Sequence, residues 1–109
     1  MRRLLFLAAL MLAPAFPSAA QTPWTIDPAH SSAQFAVRHL AVSTVRGEFT
    51  KVSGMIRLDE KDITKSSVEA TIDATSVDTR EARRDEHLRS PDFFDTANFP
   101  TITFRSKRV

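Results

Sequence analysis

The stretch Ser67-Val-Glu-Ala-Thr-Ile-Asp73 has the clearest secondary-structure pattern in the sequence. Small apolar residues alternate with polar ones here, and the alternation extends over Ser66–Ser76. A period of two places the apolar side chains on one face of a β-strand and the polar side chains on the other. Such a strand is typical of an antiparallel sheet that faces water on one side only. The chain is therefore expected to be mainly β.

Segments upstream of this stretch predict further strands. Ser31–His39 alternates in the same way, and Trp24–Ile26 predicts a short separate strand before it. Val45–Leu58 is rich in β-forming residues and contains Gly47 and Gly54, which are the only glycines of the chain. An isolated glycine within a strand pattern indicates a bulge or a bend, as in a sheet that curls sharply.

One short helix and a last strand are predicted downstream. Asp78-Thr79-Arg80-Glu81 matches a capping box in which Asp78 is the N-cap, so a helix is expected over Thr79–Arg89. Only two residues of this helix are apolar, which indicates that it lies on the surface or over an opening. Thr101–Arg105 alternates again. The elements together predict an antiparallel β-barrel or half-barrel with one short surface helix.

The first 20 residues have the composition of a secretory signal peptide. Arg2 and Arg3 precede the apolar run Leu4–Ala13, and small residues lead up to Ala20. Cleavage after Ala20 removes 20 of the 109 residues and leaves 89 for one exported domain, either periplasmic or secreted. No transmembrane helix is expected, because the apolar run has 10 residues whereas a bilayer core requires about 20.

Charge and cysteine content exclude several classes of function. Removal of the signal peptide takes Arg2 and Arg3 with it and leaves 13 basic and 13 acidic residues. The pI of about 9.5 for the whole chain therefore does not indicate a nucleic-acid partner. The chain has no cysteine, so disulfides, thiolate metal sites and cysteine nucleophiles are excluded.

The remaining groups do not form a recognisable catalytic pattern. His30, His39 and His87 lack the spacing of a metal motif, and the serines occur in no nucleophile elbow. A metal site that combines two of the histidines with Asp27 or Asp85 stays open as an alternative, although nothing in the spacing forces these side chains to converge. We therefore expect a protein that is not an enzyme and has no metal or cofactor.

The helix segment carries the first of two binding features. Four arginines and His87 lie within Arg80–Arg89. Their simplest interpretation is a solvated helix face with ion pairs between neighbouring turns. Alternatively, guanidinium groups at the rim of an apolar cavity bind an oxyanion in two-pronged fashion. On this second interpretation the candidates for a lipid head-group site are Arg84, His87 and Arg89.

Phenylalanines form the second feature. Six of them follow the signal peptide, and each on its own is best explained as part of a hydrophobic core. Together they could line an elongated lipid pocket, since a closed β-barrel of about eight strands can hold one ligand inside.

Several segments together resemble one protein family. Arg84-Asp-Glu-His-Leu-Arg-Ser-Pro-Asp-Phe-Phe-Asp95, followed by Asn98-Phe-Pro-Thr-Ile-Thr-Phe104, is similar to the hallmark segment of the YceI-like family of polyisoprenoid-binding proteins. Trp24-Thr-Ile-Asp-Pro-Ala-His30 and Val45-Arg-Gly-Glu-Phe-Thr-Lys-Val-Ser-Gly54 agree with the same family. The resemblance covers essentially all of Trp24–Val109.

This resemblance implies a lipocalin-like antiparallel β-barrel that is exported to the periplasm. It further implies that a polyprenyl phosphate or an isoprenoid quinone lies lengthwise in an apolar tunnel, for carriage or storage without chemistry. An exported structural or stress-related interaction protein, with a filled core and no ligand, is the alternative. The alternating inward positions are the candidates for the tunnel lining, namely Phe35, Val37, Phe49, Ile56, Leu58, Val68, Ala70, Ile72, Phe94, Phe99, Ile102 and Phe104.

The chain departs from the family in length. Members of the family are longer, with further strands after the one that ends near Val109. We therefore expect residues 21–109 to form a C-terminally truncated barrel domain, with an open curled sheet whose last strand has a bare edge. The chain is then either a fragment of a longer product or one copy of a homodimer.

Overall fold

The structure, a computed structural model, describes residues 21–109, and the expected signal peptide Met1–Ala20 lies outside the described residues. Two short 3-10 turns occur at Ile63–Lys65 and Ala74–Ser76. The strands and the helix follow one another in the order β1 (Thr22–Thr25), β2 (Ala33–His39), β3 (Ser43–Phe49), β4 (Val52–Leu58), β5 (Ser67–Asp73), β6 (Val77–Asp78), α1 (Ala82–Arg89) and β7 (Thr101–Arg105).

The strands form two antiparallel sheets that are open and do not close into a barrel. The first sheet, called the four-stranded sheet, has the order β1-β4-β5-β7, and the second, called the three-stranded sheet, has the order β2-β3-β6. The chain changes sheet four times: between β1 and β2, at Thr50–Lys51 between β3 and β4, at the 3-10 turn Ala74–Ser76 between β5 and β6, and between β6 and β7 by way of α1 and the loop that follows it. The predicted fold class, mainly antiparallel β with an open sheet and one short helix, is confirmed.

Cross-strand pairing determines which residues share a face of the four-stranded sheet. Residues directly opposite each other in an antiparallel pair point to the same side. Ile56 of β4 pairs with Val68 of β5, and Ile72 of β5 pairs with Ile102 of β7. The apolar positions of these three strands therefore lie on one common face. The alternation in the sequence therefore assigned these side chains to one side correctly.

The three-stranded sheet has an apolar face of its own. Phe35 lies opposite Gly47, and Val37 lies opposite Val45. Phe49, at the end of β3, pairs with Val77 of β6. Phe49 and Val77 on this face are two of the three buried apolar residues in the described part of the chain, whereas Val37 is 54% exposed.

The bulge expected at the glycines is absent. The register continues without interruption through Gly47 in the β2–β3 pair and through Gly54 in the β4–β5 pair. Both glycines instead make room for a close neighbour, because a β-carbon would overlap the ring of Phe35 at one position and the carbonyl oxygen of Glu69 at the other. The chain passes from β3 in one sheet to β4 in the other at Thr50–Lys51, which includes neither glycine.

The helix begins three residues later than its capping pattern predicts, so the expected start at Thr79 is wrong. Glu81 is the N-cap and its carboxylate accepts hydrogen bonds from the backbone N–H groups of Arg83 and Arg84. Asp78 caps a turn instead, since it accepts from the N–H of Arg80, whose φ of 67° lies in the left-handed region. A residue in that conformation cannot continue into a right-handed helix.

The strand β5 also ends earlier than its alternation suggests. Asp73 turns the chain into the 3-10 turn, where its carboxylate accepts from the backbone N–H and the hydroxyl of Thr75 at 2.9 and 2.6 Å. These hydrogen bonds, above all the one from the hydroxyl, lower the pKa of Asp73 below its ordinary value. The turn brings Ser76 next to Thr50 and Lys51, where the two sheets meet.

The core lies at the junction of the three-stranded sheet, the second 3-10 turn and α1. Phe49, Ala74 and Val77 are its buried apolar residues, and Thr79 and Asp85 are buried beside them. The apolar face of the four-stranded sheet is more open, with Trp24, Ile102 and Phe104 among its exposed residues; the last of these is 56% exposed. The molecule therefore has a packed part around Phe49, Ala74 and Val77 and an open part on the apolar face of the four-stranded sheet.

Candidate functional site

A cavity of about 810 Å³ lies between the apolar face of the three-stranded sheet and α1 with the loop that follows it. Strands β2 and β3 form one wall, and the helix and loop form the other. This volume falls within the range of small-molecule binding sites. The cavity is lined by Phe35, Val37, His39, Val45, Phe49, Thr79, Arg84, His87, Leu88, Phe93 and Phe94.

Three phenylalanine rings form the apolar part of this cavity. The ring centroids of Phe35 and Phe49 are 5.6 Å apart, those of Phe49 and Phe94 are 5.4 Å apart, and those of Phe35 and Phe94 are 6.5 Å apart. The two contacts of Phe94 are edge-to-face, which is a favourable geometry for aromatic pairs. We call these three residues the phenylalanine triangle.

The loop after α1 holds Phe94 in place. The backbone N–H of Phe94 donates to the carbonyl of Leu88 at 2.9 Å, and Asp95 then takes a φ of 46°. The N–H of Asp95 donates to the carbonyl of Ser90 at 3.0 Å. This turn directs Phe94 back under the helix, where it joins Phe35 and Phe49 from the sheet.

The polar part of the cavity contains Thr79 and Arg84, and Asp85 is buried next to Thr79 without lining the cavity. Arg84 donates from Nε to the hydroxyl of Thr79 at 2.7 Å and from Nη2 to the backbone carbonyl of Thr79 at 2.8 Å. Asp85 accepts from both the N–H and the hydroxyl of Thr79, at 2.8 and 2.6 Å. Arg84 is therefore fixed at the cavity by two hydrogen bonds to one residue.

His87 lies on the same side of the helix as Arg84 and also lines the cavity. Its Nε2 atom is 2.9 Å from a carboxylate oxygen of Asp92. Its ring packs edge-on against Phe93, with centroids 4.9 Å apart. The imidazole is more than half exposed, so a ligand at the cavity opening could contact it.

Arg89, the third candidate for the head-group site, lies elsewhere. Its Nε donates to the carbonyl of Thr75 at 2.9 Å and its Nη2 donates to the carbonyl of Val77 at 3.2 Å. These hydrogen bonds attach the end of α1 to the second 3-10 turn and to β6. Arg89 does not line the cavity, whereas Arg84 and His87 do.

The structure divides the residues that were predicted to line a tunnel. Phe99 lies outside both the cavity and the apolar face of the four-stranded sheet, and it is 65% exposed. Four others line the cavity, namely Phe35, Val37, Phe49 and Phe94. Seven share the apolar face of the four-stranded sheet, namely Ile56, Leu58, Val68, Ala70, Ile72, Ile102 and Phe104.

Some cavity residues were not among the predicted site residues. Val45 was detectable, because it alternates in phase with Gly47 and Phe49. Leu88 was detectable as one of two apolar residues on a polar helix. Thr79 was not, since its role depends on Arg84 and Asp85 folding back onto it.

The arrangement suits an apolar molecule with one polar end. Apolar side chains make up most of the cavity wall; Thr79, Arg84 and His87 lie on or next to the helix side, and His39, at the end of β2, is a polar residue on the sheet side. Within residues 21–109 no three histidine or carboxylate side chains converge as metal ligands. In the same part of the chain, no helix has the length and apolar character to cross a membrane.

Comparison with known proteins identifies relatives. A family model described as a YceI-like domain matches residues 24–109. A UPF0312 protein of Vibrio parahaemolyticus is 41% identical over 112 residues, which cover 100% of this chain and 59% of that protein. A UPF0312 protein of Staphylococcus aureus is 42% identical over 88 residues, covering 81% and 52%. The chain thus spans a little over half the length of these curated relatives.

Solved structures of two other proteins superimpose on most of this chain. BcnA of Burkholderia cenocepacia superimposes with a TM-score of 0.69 at 28% identity, over 76% of this chain and 52% of that one. The YCEI protein of Campylobacter jejuni superimposes with a TM-score of 0.56 at 36% identity, over 77% and 49%. About three quarters of this chain is therefore similar in structure to about half of each of these proteins.

Proposed function

The chain belongs to the YceI-like family, and we propose that it binds an isoprenoid lipid, with the apolar tail in the cavity between the three-stranded sheet and α1. The ligand is a polyprenyl phosphate or an isoprenoid quinone. The protein carries or stores this lipid and performs no chemistry on it.

The observation that carries this proposal is the composition of the cavity wall. The phenylalanine triangle, Val37, Val45 and Leu88 supply apolar surface, while Arg84 and His87 supply polar groups on one side. Removing a methylene group from water contributes about 0.8 kcal/mol, so several isoprene units give substantial affinity without any catalytic group.

The head group of the lipid is proposed to lie beside Arg84 and His87. A guanidinium forms strong, charge-assisted hydrogen bonds with a phosphate, and its N–H groups also donate to a quinone carbonyl. Arg89 takes no part in this proposal, because its guanidinium donates to the backbone of Thr75 and Val77.

The working location is proposed to be outside the cytoplasm, in the periplasm or beyond. This part of the proposal is supported by the sequence of Met1–Ala20, with its two arginines, short apolar run and small residues before Ala20. Cell fractionation with amino-terminal sequencing tests it, and a mature chain that starts at Gln21 is the expected result. A chain that keeps Met1 and stays in the cytoplasm would contradict it.

The ligand is tested by purifying the protein from cells under native conditions, extracting it with organic solvent and analysing the extract by mass spectrometry. An isoprenoid lipid in near-stoichiometric amount is expected. The variant Phe94→Ala should retain less lipid, and Phe99→Ala, which changes a residue outside the cavity, should retain as much as the unmodified protein. Absence of any isoprenoid would favour a structural or interaction protein without a ligand.

A further inference from the structure

We infer that Thr79 is a positioning residue that selects lipids with an anionic head group, because it holds the guanidinium of Arg84 at the cavity in one orientation. This inference rests on the proposed function and adds a preference between its two classes of ligand. It assigns the phosphorylated lipid as the better ligand.

The hydroxyl of Thr79 takes part in two hydrogen bonds whose directions are determined by their partners. Thr79 is 4% exposed, and its hydroxyl lies 2.6 Å from Oδ1 of Asp85 and 2.7 Å from Nε of Arg84. A hydroxyl has a single proton. Since Asp85 as a carboxylate accepts, the proton of Thr79 goes to Asp85, and the oxygen of Thr79 accepts from Arg84. Asp85 therefore fixes the hydroxyl in the orientation that Arg84 needs.

Thr79 holds one edge of the Arg84 guanidinium. Nε and Nη2 of Arg84 donate to the hydroxyl and the carbonyl of the same residue, Thr79. Because the guanidinium is planar and rigid, two hydrogen bonds along one edge determine where its other edge points. The edge that contains Nη1 is thereby turned away from Thr79 and remains for a ligand in the cavity that Arg84 lines.

Arg84 forms no ion pair in the described part of the chain. The groups that hold Arg84 are a hydroxyl and a backbone carbonyl, both neutral. In the described part of the chain the ion pairs within 4.0 Å are His30 with Asp27, His87 with Asp92 and Arg105 with Glu69, and Arg84 belongs to none of them. Its positive charge is thus oriented without being paired to a carboxylate at contact distance. A phosphate gains more from such a group than a neutral head group does.

The experiment compares two lipids that have the same tail. The chain is titrated with geranylgeranyl monophosphate and with geranylgeraniol, first unmodified and then as Thr79→Val and Thr79→Ser. The unmodified protein should prefer the phosphate. Thr79→Val should reduce that preference about ten-fold while affinity for the alcohol stays within about two-fold, and Thr79→Ser should restore it.

A second variant covers the case in which Thr79→Val fails to fold. Arg84→Lys keeps the charge but lacks the planar fork, so it should lose the preference for the phosphate to a similar degree. A preference that survives in Thr79→Val or in Arg84→Lys overturns the inference, and so does a loss that Thr79→Ser does not restore. Failure of the unmodified protein to bind either lipid would instead contradict the proposed function itself.

Discussion

The ring of Phe35 lies against Gly47, its directly opposed neighbour on β3, and fills the space that a β-carbon at residue 47 would need. The methyl carbon Cγ2 of Thr79 would also be only 2.9 Å from that β-carbon. The absence of a side chain at one position of β3 therefore sets the place of one wall of the cavity. Phe35 and Phe49 are the two rings that the three-stranded sheet contributes to the phenylalanine triangle, and Phe94 is the third, from the loop after α1.

Substitution of Gly47 should disturb both stability and binding. Gly47→Ala forces Phe35 to move, and overpacking of this kind lowers the free energy of unfolding by about 1–3 kcal/mol. Gly54→Ala is the matched control, since its β-carbon would meet Glu69 and Ile26 in the other sheet. Urea unfolding should show a loss in both variants, whereas affinity for geranylgeraniol should fall only in Gly47→Ala. Equal affinities in the two variants would show that Phe35 does not shape the binding site.

Truncation of Phe94 should open the phenylalanine triangle. We expect Phe94→Ala to lower the free energy of unfolding by about 2 kcal/mol, less than for a fully buried ring, and to weaken geranylgeraniol binding at least several-fold. Phe99→Ala changes a ring that is 65% exposed, so its effect on stability should stay within about 0.5 kcal/mol. Thermal unfolding and lipid titration of both variants test this expectation. Binding that weakens equally in both would contradict the assignment of the cavity.

Arg89 should contribute to stability and not to lipid preference. Arg89→Ala removes the donors to the carbonyls of Thr75 and Val77 and should cost about 1 kcal/mol of unfolding free energy. Arg83→Ala, an exposed arginine on the same helix, serves as the control and should change stability little. The ratio of affinities for geranylgeranyl monophosphate and geranylgeraniol should be the same in Arg89→Ala as in the unmodified protein. A reduced ratio in Arg89→Ala would indicate that Arg89 contacts the head group of the lipid after all.

Acid should destabilise the turn at Asp73. Hydrogen bonds from Thr75 lower the pKa of Asp73 in the folded state. Since this folded-state pKa lies below that of the unfolded chain, the stabilisation is present above the unfolded pKa and is lost as pH falls through the folded one. Thr75→Val removes the hydroxyl, which is the largest cause of the shift. Urea midpoints measured between about pH 5 and pH 3 should therefore fall less steeply in Thr75→Val. Parallel pH profiles would exclude this turn as a source of acid sensitivity.

The faces of the sheets followed directly from the sequence, because a period of two is a geometric property of a strand. Ile56, Val68 and Ile102 were assigned to one face for that reason, and their pairing bears this out. Alternation does not reveal which sheet a face belongs to. The change of sheet at Thr50–Lys51 depends on hydrogen bonds to Ser76, which is 25 residues away from Lys51, and a local pattern contains no such information.

The start of the helix and the polar part of the cavity were harder to predict from the sequence, for a similar reason. Asp78 and Glu81 are both able to cap a helix, and the choice between them depends on the left-handed φ of Arg80 and on the contacts between Thr79 and Asp85. The arginines of the segment look alike in sequence. Only the folded chain shows that Arg84 lines the cavity while Arg89 is attached to the backbone of the neighbouring turn.

The position of the bound tail tests the account most directly. Isotope-filtered NMR of the labelled protein with unlabelled geranylgeranyl monophosphate reports which side chains lie beside the methyl groups of the lipid. We predict intermolecular contacts with the rings of Phe35, Phe49 and Phe94. Contacts confined to Ile102 and Phe104 on the four-stranded sheet, or no contacts at saturating lipid, would contradict the account.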